Sequence, residues 1–141
     1  MLKKLTPVFL IAVSLLASSC TDYGKKVSKK HIEVYYKDGI TETEANGTAS
    51  LLYSIDSAYN NSRDTKSMQL VKTNDTVTYR MVVNQDRLAD VGEGAFLAIG
   101  IMLSDSVFHH APVNVDLTDN HFKTIKTIHY TLSAGETPSA Q

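Results

Sequence analysis

The stretch that decides the fold is residues 67–84, SMQLVKTNDTVTYRMVVN. Two strand-like runs, 67–73 and 76–84, flank Asn74 and Asp75, and both of these residues tolerate the left-handed conformation that a two-residue hairpin turn needs. The second run alternates, with one face made of Val77, Tyr79, Met81 and Val83. Strict alternation is typical of a strand with one buried face. The sequence therefore predicts a β-hairpin in the middle of the chain.

On the N-terminal side of this hairpin, the sequence predicts a strand followed by a helix. Residues 31–37 alternate in the same way, and Asp38-Gly39 predicts a turn. Thr41 and Glu44 have the spacing of a capping box, so a helix should begin there. Its predicted buried stripe has three- and four-residue spacing and consists of Ala45, Ala49, Leu52, Ile55 and Tyr59.

On the C-terminal side, the sequence predicts a second helix over residues 85–108. Its stripe would be Leu88, Val91, Ala95, Ile99 and Met102. Gly92, Gly94 and Gly100 are costly inside a helix, which indicates close approach to another backbone. A break near residues 92–94, giving two shorter helices, is the alternative. Strands should follow from Pro112 and over residues 122–132, with a turn at 118–120.

Together these elements predict an α+β fold. The order β-α-β-β-α-β-β fits a two-layer sandwich with an antiparallel or mixed sheet and both helices on one sheet face. The first six elements have the order of a split βαβ, ferredoxin-like unit. We expect right-handed crossovers and a fifth strand at a sheet edge.

The first 19 residues resemble an export signal. Lys3 and Lys4 precede an apolar run, residues 7–17, that only Ser14 interrupts. This run is about half the roughly 20 residues that a membrane-spanning helix needs. A positive start, a short apolar run and small residues before a cleavage site are typical of a secretory signal peptide.

The segment 16–20, LASSC, resembles the lipobox of bacterial lipoproteins. The resemblance implies cleavage before Cys20 and acylation of its thiol, although Ala17 stands where the family prefers leucine. An ordinary signal peptide with Cys20 as a free thiol is the alternative. Two or more acyl chains make a stable anchor, so the resemblance implies a membrane-anchored protein of the bacterial cell envelope that faces the periplasm.

The chain is expected to divide into four parts. These are a lipoprotein signal peptide (1–19), a lipidated cysteine with a basic linker (20–30), one α+β domain (31–132) and a disordered tail (133–141). From residue 31 onward there are 8 Lys and Arg against 14 Asp and Glu, a net charge of −6. Such an acidic body disfavours nucleic acid as a partner, because phosphate binding needs a basic face. The linker lysines are interpreted as solvated; a basic patch beside the membrane is the alternative.

Candidate sites within the domain are weak. His109 and His110, with His121 or His129, could ligate a metal, but a zinc site needs three or four converging ligands. Arg80 could bind an anionic ligand with its guanidinium fork, although pairing with a carboxylate is the commoner outcome. We therefore expect no catalytic residue, no metal site and no cofactor, and a ligand-binding site that the sequence does not identify.

Two short segments, 34–41 (VYYKDGIT) and 103–113 (LSDSVFHHAPV), resemble a small α+β module of uncharacterised Bacteroidetes-type proteins. The resemblance implies no activity and no site residue. The sequence thus favours a non-enzymatic, lipid-anchored binding or interaction module with a membrane contact at Cys20 and an envelope protein as partner. A small-ligand or metal carrier is the alternative.

Overall fold

A computed structural model describes residues 22–60 and 62–131 of the chain. They form a single six-stranded sheet with two α-helices and one 3₁₀ helix. In chain order the elements are β1 (Lys25–Lys29), β2 (Ile32–Tyr36), α1 (Glu42–Tyr59), β3 (Lys66–Thr73), β4 (Thr76–Val82), the 3₁₀ helix (Gln85–Asp90), α2 (Glu93–Ser106), β5 (Val113–Thr118) and β6 (Thr124–Ile128). No helix among the described residues is long and apolar enough to cross a membrane.

The sheet consists of three antiparallel hairpins placed side by side. The strands lie in the order in which the chain makes them, β1 to β6. β2 pairs in parallel with β3 across α1, and β4 pairs in parallel with β5 across α2. The remaining neighbours are antiparallel. The predicted α+β class, with a mixed sheet and two helices packed on it, is confirmed.

The basic segment after Cys20 is a strand, where the sequence predicted a linker. Lys25–Lys29 pairs with β2 along its whole length, with Val27 opposite Val34. The linker prediction was wrong because this strand lacks the alternation of apolar and polar residues that indicates a strand. Four of its five residues are exposed, and only Val27 packs against the core.

The strand order differs from that of a split βαβ unit, because the parallel strands here are direct neighbours with no strand between them.

The handedness of the two crossover connections also differs from the right-handed expectation. β2 and β4 run in opposite directions, yet both crossovers advance the same way across the sheet and both helices line a cleft on one face. The two crossovers therefore have opposite hands, and only one follows the right-handed rule. Only this face carries the apolar residues that a helix can bury.

The predicted start of α1 is confirmed. The Glu44 backbone N–H donates to Thr41 Oγ1 at 3.1 Å, and the Thr41 N–H donates to Glu44 Oε2 at 2.8 Å, which completes the capping box. Ala45, Ala49 and Leu52 are buried as predicted. The prediction was wrong for Tyr59, which is 88% exposed in the last turn of the helix, beyond the edge of the core.

The second helix is broken where the glycines stand. The 3₁₀ helix ends at Asp90, and α2 begins at Glu93 with Gly92 as its N-cap. Because α2 begins afresh at Glu93, a different set of residues faces the sheet from the set that one continuous helix would present. Val91, Ala95 and Met102 are exposed, and the buried residues of α2 are Phe96, Gly100, Leu103 and Ser104.

The predicted central hairpin is confirmed, with Asn74 at a φ of 54° in its turn. The last strand is shorter than predicted, since β6 covers only Thr124–Ile128. Phe122 does not join it, because its φ is 57° and its ring is buried. The sheet thus has a helix face, which holds the core, and an open face that loops cover in part.

Candidate functional site

Of the three large concavities among the described residues, the one with the most apolar lining is a cleft between the two helices, which we call the interhelical cleft. α1 packs mainly over β1 and β2, whereas α2 packs over β5 and β6. The gap between the helices lies over the middle strands β3 and β4, at the end where Lys66, Met68 and Met81 stand. The cleft holds about 510 Å³ and is lined by both helices, with Leu52 and Ile55 on one wall and Ile99 on the other.

The floor of the cleft is apolar and comes from the central hairpin. Met68, Tyr79 and Met81 lie there, on the face that their alternation predicted. Tyr79 is almost completely buried, and burial raises the pKa of its phenol. Its phenol is protonated at neutral pH, as in any tyrosine, and burial extends that protonated range to higher pH.

One end of the cleft is charged. Asp56, near the end of α1, receives hydrogen bonds from Lys66 Nζ and from His31 Nε2, the latter at 2.5 Å. The side chains of Asp56 and His31 are 12% and 17% exposed, and that of Lys66 is 34% exposed. Asp56 and Lys66 line the cleft, whereas His31 lies behind them against the ring of Tyr53.

The Asp56 carboxylate is held in its charged form. Burial on its own would raise the pKa of Asp56, but the hydrogen bonds from Lys66 and His31 outweigh burial and bring the pKa below its usual value. The carboxylate and the Lys66 ammonium largely neutralise each other. The rest of the cleft is apolar, so this cluster is the polar end at which a bound molecule would be oriented.

No pattern in the sequence predicted this cluster. Asp56 lies 25 residues from His31 and 10 residues from Lys66 in the chain. The backbone N–H of Lys66 donates to the His31 carbonyl, which extends the parallel pairing of β2 with β3 and sets both side chains beside the end of α1. The parallel neighbour relation of β2 and β3, which the sequence did not predict, therefore creates the cluster.

Arg80 lies on the open face in a network of its own. Its guanidinium donates to Gln69 Oε1 at 2.9 Å and to the Phe122 carbonyl at 2.5 Å, and its Nε lies 3.6 Å from Asp116 Oδ2. Of the two sequence interpretations, an anion ligand or a carboxylate partner, the structure shows the carboxylate partner. The rings of Tyr23, Tyr35 and Phe122 pack edge to face beside this network.

The histidines singled out in the sequence do not come together as a site. His109 and His110 both have positive φ just after α2. Among the described residues, the side-chain hydrogen bond of this pair joins His110 Nδ1 to Asp105 Oδ1, at an exposed position. His121 meets Asp119 through its backbone N–H. Within residues 22–60 and 62–131, no group of three or more His, Cys, Asp or Glu side chains is placed to hold a metal ion.

Three predictions fall outside the described residues. They are the signal peptide (1–19), the lipidation site Cys20 and the disordered tail (133–141). Asp22, the first of the described residues, already makes hydrogen bonds to the domain. Its carbonyl accepts from Lys37 Nζ at 2.7 Å, and its side chain accepts from the Gly24 N–H at 2.9 Å.

A family model covers the whole sheet and both helices. The model, AF_1994_N, described as a family N-terminal domain, matches residues 26–130. The chain belongs to this family. No curated protein and no solved structure matches the chain. The family name states no activity, ligand or partner, so function has to be argued from the geometry of the domain itself.

Proposed function

We propose that this protein is a lipid-anchored binding module of the bacterial cell envelope, and that the interhelical cleft is its binding site. The observation that carries the proposal is the cleft itself, where the gap between the two helices lies over an apolar part of the sheet, beside the charged cluster of Asp56, Lys66 and His31. An apolar cavity with a few polar groups converging on it is the usual form of a small-molecule site.

The occupant that best fits the cleft is a small, elongated apolar molecule with one polar end, such as a fatty acid. The volume of about 510 Å³ lies within the ordinary range for ligand pockets. Met68 and Met81 supply flexible thioethers that adapt to a ligand's shape. The Lys66 ammonium, which lines the cleft and is 34% exposed, is a donor for the polar end of the ligand. This occupant corresponds to the small-ligand alternative raised by the sequence.

Binding without chemistry is the simplest role for the charged cluster. The Asp56 carboxylate is already engaged by Lys66 and His31. In the proposal these residues orient a ligand and fix the end of α1 against the sheet, and no reaction or cofactor is assigned to them.

The anchor is the second half of the proposal. It is supported by the lipobox-like segment LASSC at residues 16–20 and by the positive and apolar segments before it. Acylation of Cys20 would hold the domain at a membrane facing the periplasm. The ligand would then be a molecule met at or near that membrane.

An envelope protein partner is the other candidate, favoured by β6. This strand is a sheet edge, and three of its five residues are exposed. A partner strand could add to it by main-chain hydrogen bonding. Purification from membranes in mild detergent, with no specific protein recovered alongside, would count against this candidate and leave the ligand proposal in place.

The cleft is tested with a fluorescent fatty acid, cis-parinaric acid, whose emission rises in apolar surroundings. Ile99→Trp places a large ring in the cleft. Met102→Trp is the matched control, because it adds the same ring to the same helix at a position that is 37% exposed and does not line the cleft. We expect saturable binding by the native protein and by Met102→Trp, and binding weaker by roughly tenfold or more for Ile99→Trp, equivalent to about 1.4 kcal/mol.

Thermal melts of both variants establish that each is folded before binding is compared. Equal affinity of the two tryptophan variants, or no saturable binding by the native protein, would contradict the assignment of the cleft as a fatty-acid site.

A further inference from the structure

We propose that the β1 side of the domain lies flat against anionic lipid headgroups of the membrane that holds Cys20. The surface concerned, the basic edge, consists of Lys25, Lys29, Lys30 and Arg63. The inference rests on the proposed anchor and adds to it a membrane-facing surface and a lipid partner of defined charge.

The tether between the anchor and the domain is very short. Only Thr21 separates Cys20 from Asp22. Two residues of extended chain span about 7 Å, so acylation of Cys20 would hold Asp22 at the depth of the headgroups. Tyr23 packs against the rings of Tyr35 and Phe122, which fixes the point where the chain enters the domain.

Gly24 adds to the stiffness of this entry. Its φ is 94°, and a Cβ at this position would lie 2.3 Å from the Tyr36 carbonyl oxygen. The backbone of residue 24 therefore runs directly against β2. A domain attached this closely cannot turn freely, and the surface beside its entry point must face the bilayer. That surface begins with β1.

The charges on this surface are available to a partner. Lys25, Lys29 and Lys30 are exposed, and none of them has a carboxylate within 4.0 Å among the described residues. Lys26, by contrast, pairs with Glu33 at 3.2 Å, so we leave it out of the basic edge.

Positive charge is concentrated at the far end of β1. Near the anchor, Asp22 and Asp38 share a groove with Lys25 and offset its charge. At the other end, Lys30 and Arg63 line one groove together, and Lys29 lies beside them in sequence. The anchor would hold one end of β1 at the membrane, and the basic side chains of Lys29, Lys30 and Arg63 would attract the other end. β1 would then lie parallel to the membrane surface.

An exposed aromatic side chain lies at the same far end. Tyr59, in the last turn of α1, is 88% exposed, and the neighbouring Asn60 lines the groove that holds Lys30 and Arg63. Tyrosine is enriched at membrane interfaces because its ring is apolar and its hydroxyl is polar. The chain from residue 31 onward, Arg63 included, carries a net charge of −6, so most of its surface would be repelled by anionic lipid.

Each basic residue near an anionic surface strengthens binding by roughly fivefold, and salt weakens the effect within a Debye length. Four basic residues hold a domain at a membrane far more weakly than two acyl chains do. They are sufficient to choose which side of an anchored domain faces the lipid.

The test uses the native protein purified from membranes and reconstituted into vesicles of phosphatidylcholine alone or of phosphatidylcholine with phosphatidylglycerol. An amine-reactive acetylating reagent then reports the exposure of each lysine by peptide mass spectrometry. Lys123, exposed beside β6 at the opposite edge of the sheet, is the internal reference. We expect Lys29 and Lys30 to be labelled several-fold more slowly on the anionic vesicles, Lys123 to be unchanged, and high salt to abolish the difference.

Flotation of the same samples separates the two proposals. Protein that floats with neutral vesicles is anchored, and equal labelling of Lys29 and Lys30 on both vesicles would then overturn the basic edge while the anchor stands. Protein that floats only with anionic vesicles, in a salt-sensitive way, would overturn the anchor and support the basic edge. Protein that floats with neither overturns both.

Discussion

At the scale of single residues, Asp56 connects the fold to the candidate site. It ties the end of α1 to β2 and β3 through His31 and Lys66, and it forms the polar end of the interhelical cleft. A carboxylate that is mostly buried and accepts two hydrogen bonds from basic groups contributes to stability mainly through those bonds.

Asp56→Asn should destabilise the domain by about 2 kcal/mol at neutral pH, since hydrogen bonds to a charged group contribute about 1.5–3 kcal/mol. Urea denaturation measures this loss. Asp64→Asn is the control: Asp64 is exposed and bonded only to Ser62, so its replacement should change stability by less than about 0.5 kcal/mol.

The two variants should also differ in acid. The pKa of Asp56 is lowered in the folded protein, so its contribution is complete above the usual carboxylate pKa of about 4 and is lost as the pH falls through the lower, folded value. Asp56→Asn should therefore lose less stability on acidification than the native protein does. An identical acid dependence of the two proteins would show that the pairing of Asp56 does not stabilise the fold.

At the scale of elements, local signals in the sequence were sufficient where the stabilising contacts are local. The capping box of α1 and the Asn74–Asp75 hairpin both depend on residues a few positions apart, and both were predicted. The register of α2 was missed because it depends on where the helix restarts after Val91. β1 was missed because an edge strand covered in lysines shows only one apolar residue, Val27. Exposed lysines on an edge strand also discourage pairing with other chains.

The glycines of α2 illustrate the same limit. The sequence predicted close approach to another backbone for all three, with a helix break near residues 92–94 as the alternative. The break is observed, and of the three only Gly100 makes a close approach. A Cβ there would lie 2.8 Å from the Val113 carbonyl oxygen and 3.2 Å from Val115 Cγ2. Nothing lies within 4 Å of a Cβ built on Gly92 or Gly94. These two stand where the helix begins, and their role is to allow the break.

Gly100→Ala should destabilise the domain by about 1–3 kcal/mol, because α2 must move away from β5 to admit a methyl group. Gly94→Ala is the matched substitution in the same helix and should stabilise by up to about 1 kcal/mol, since alanine is the better helix former. Urea denaturation of both variants checks the pair of values. A destabilisation by Gly94→Ala as large as that by Gly100→Ala would contradict the close approach of α2 to β5.

At the scale of the whole molecule, the sequence predicted the class of fold but could not predict the strand order. Which strands become neighbours depends on contacts between residues far apart in the chain, such as Ile32 beside Lys66 and Val77 beside Val113. The candidate site was hidden for the same reason. The interhelical cleft exists because the two helices pack toward opposite edges of one sheet face and leave a gap between them over β3 and β4.

The position of Cys20 gives this domain its proposed context. Because Asp22, two residues from Cys20, is already fixed to the sheet through Tyr23 and Gly24, an anchored domain would sit directly on the bilayer, with its basic edge toward the lipid. Ligand binding in the interhelical cleft would then take place close to the membrane surface.

The most direct test of the anchored binding module is metabolic labelling of cells with an alkyne analogue of palmitate, followed by detection of label on the protein. The native protein and Ser19→Ala, a control that changes the neighbouring residue but keeps the thiol, should both be labelled, and Cys20→Ala should carry no label. Native protein without label, or Cys20→Ala labelled as strongly as the native protein, would contradict the account.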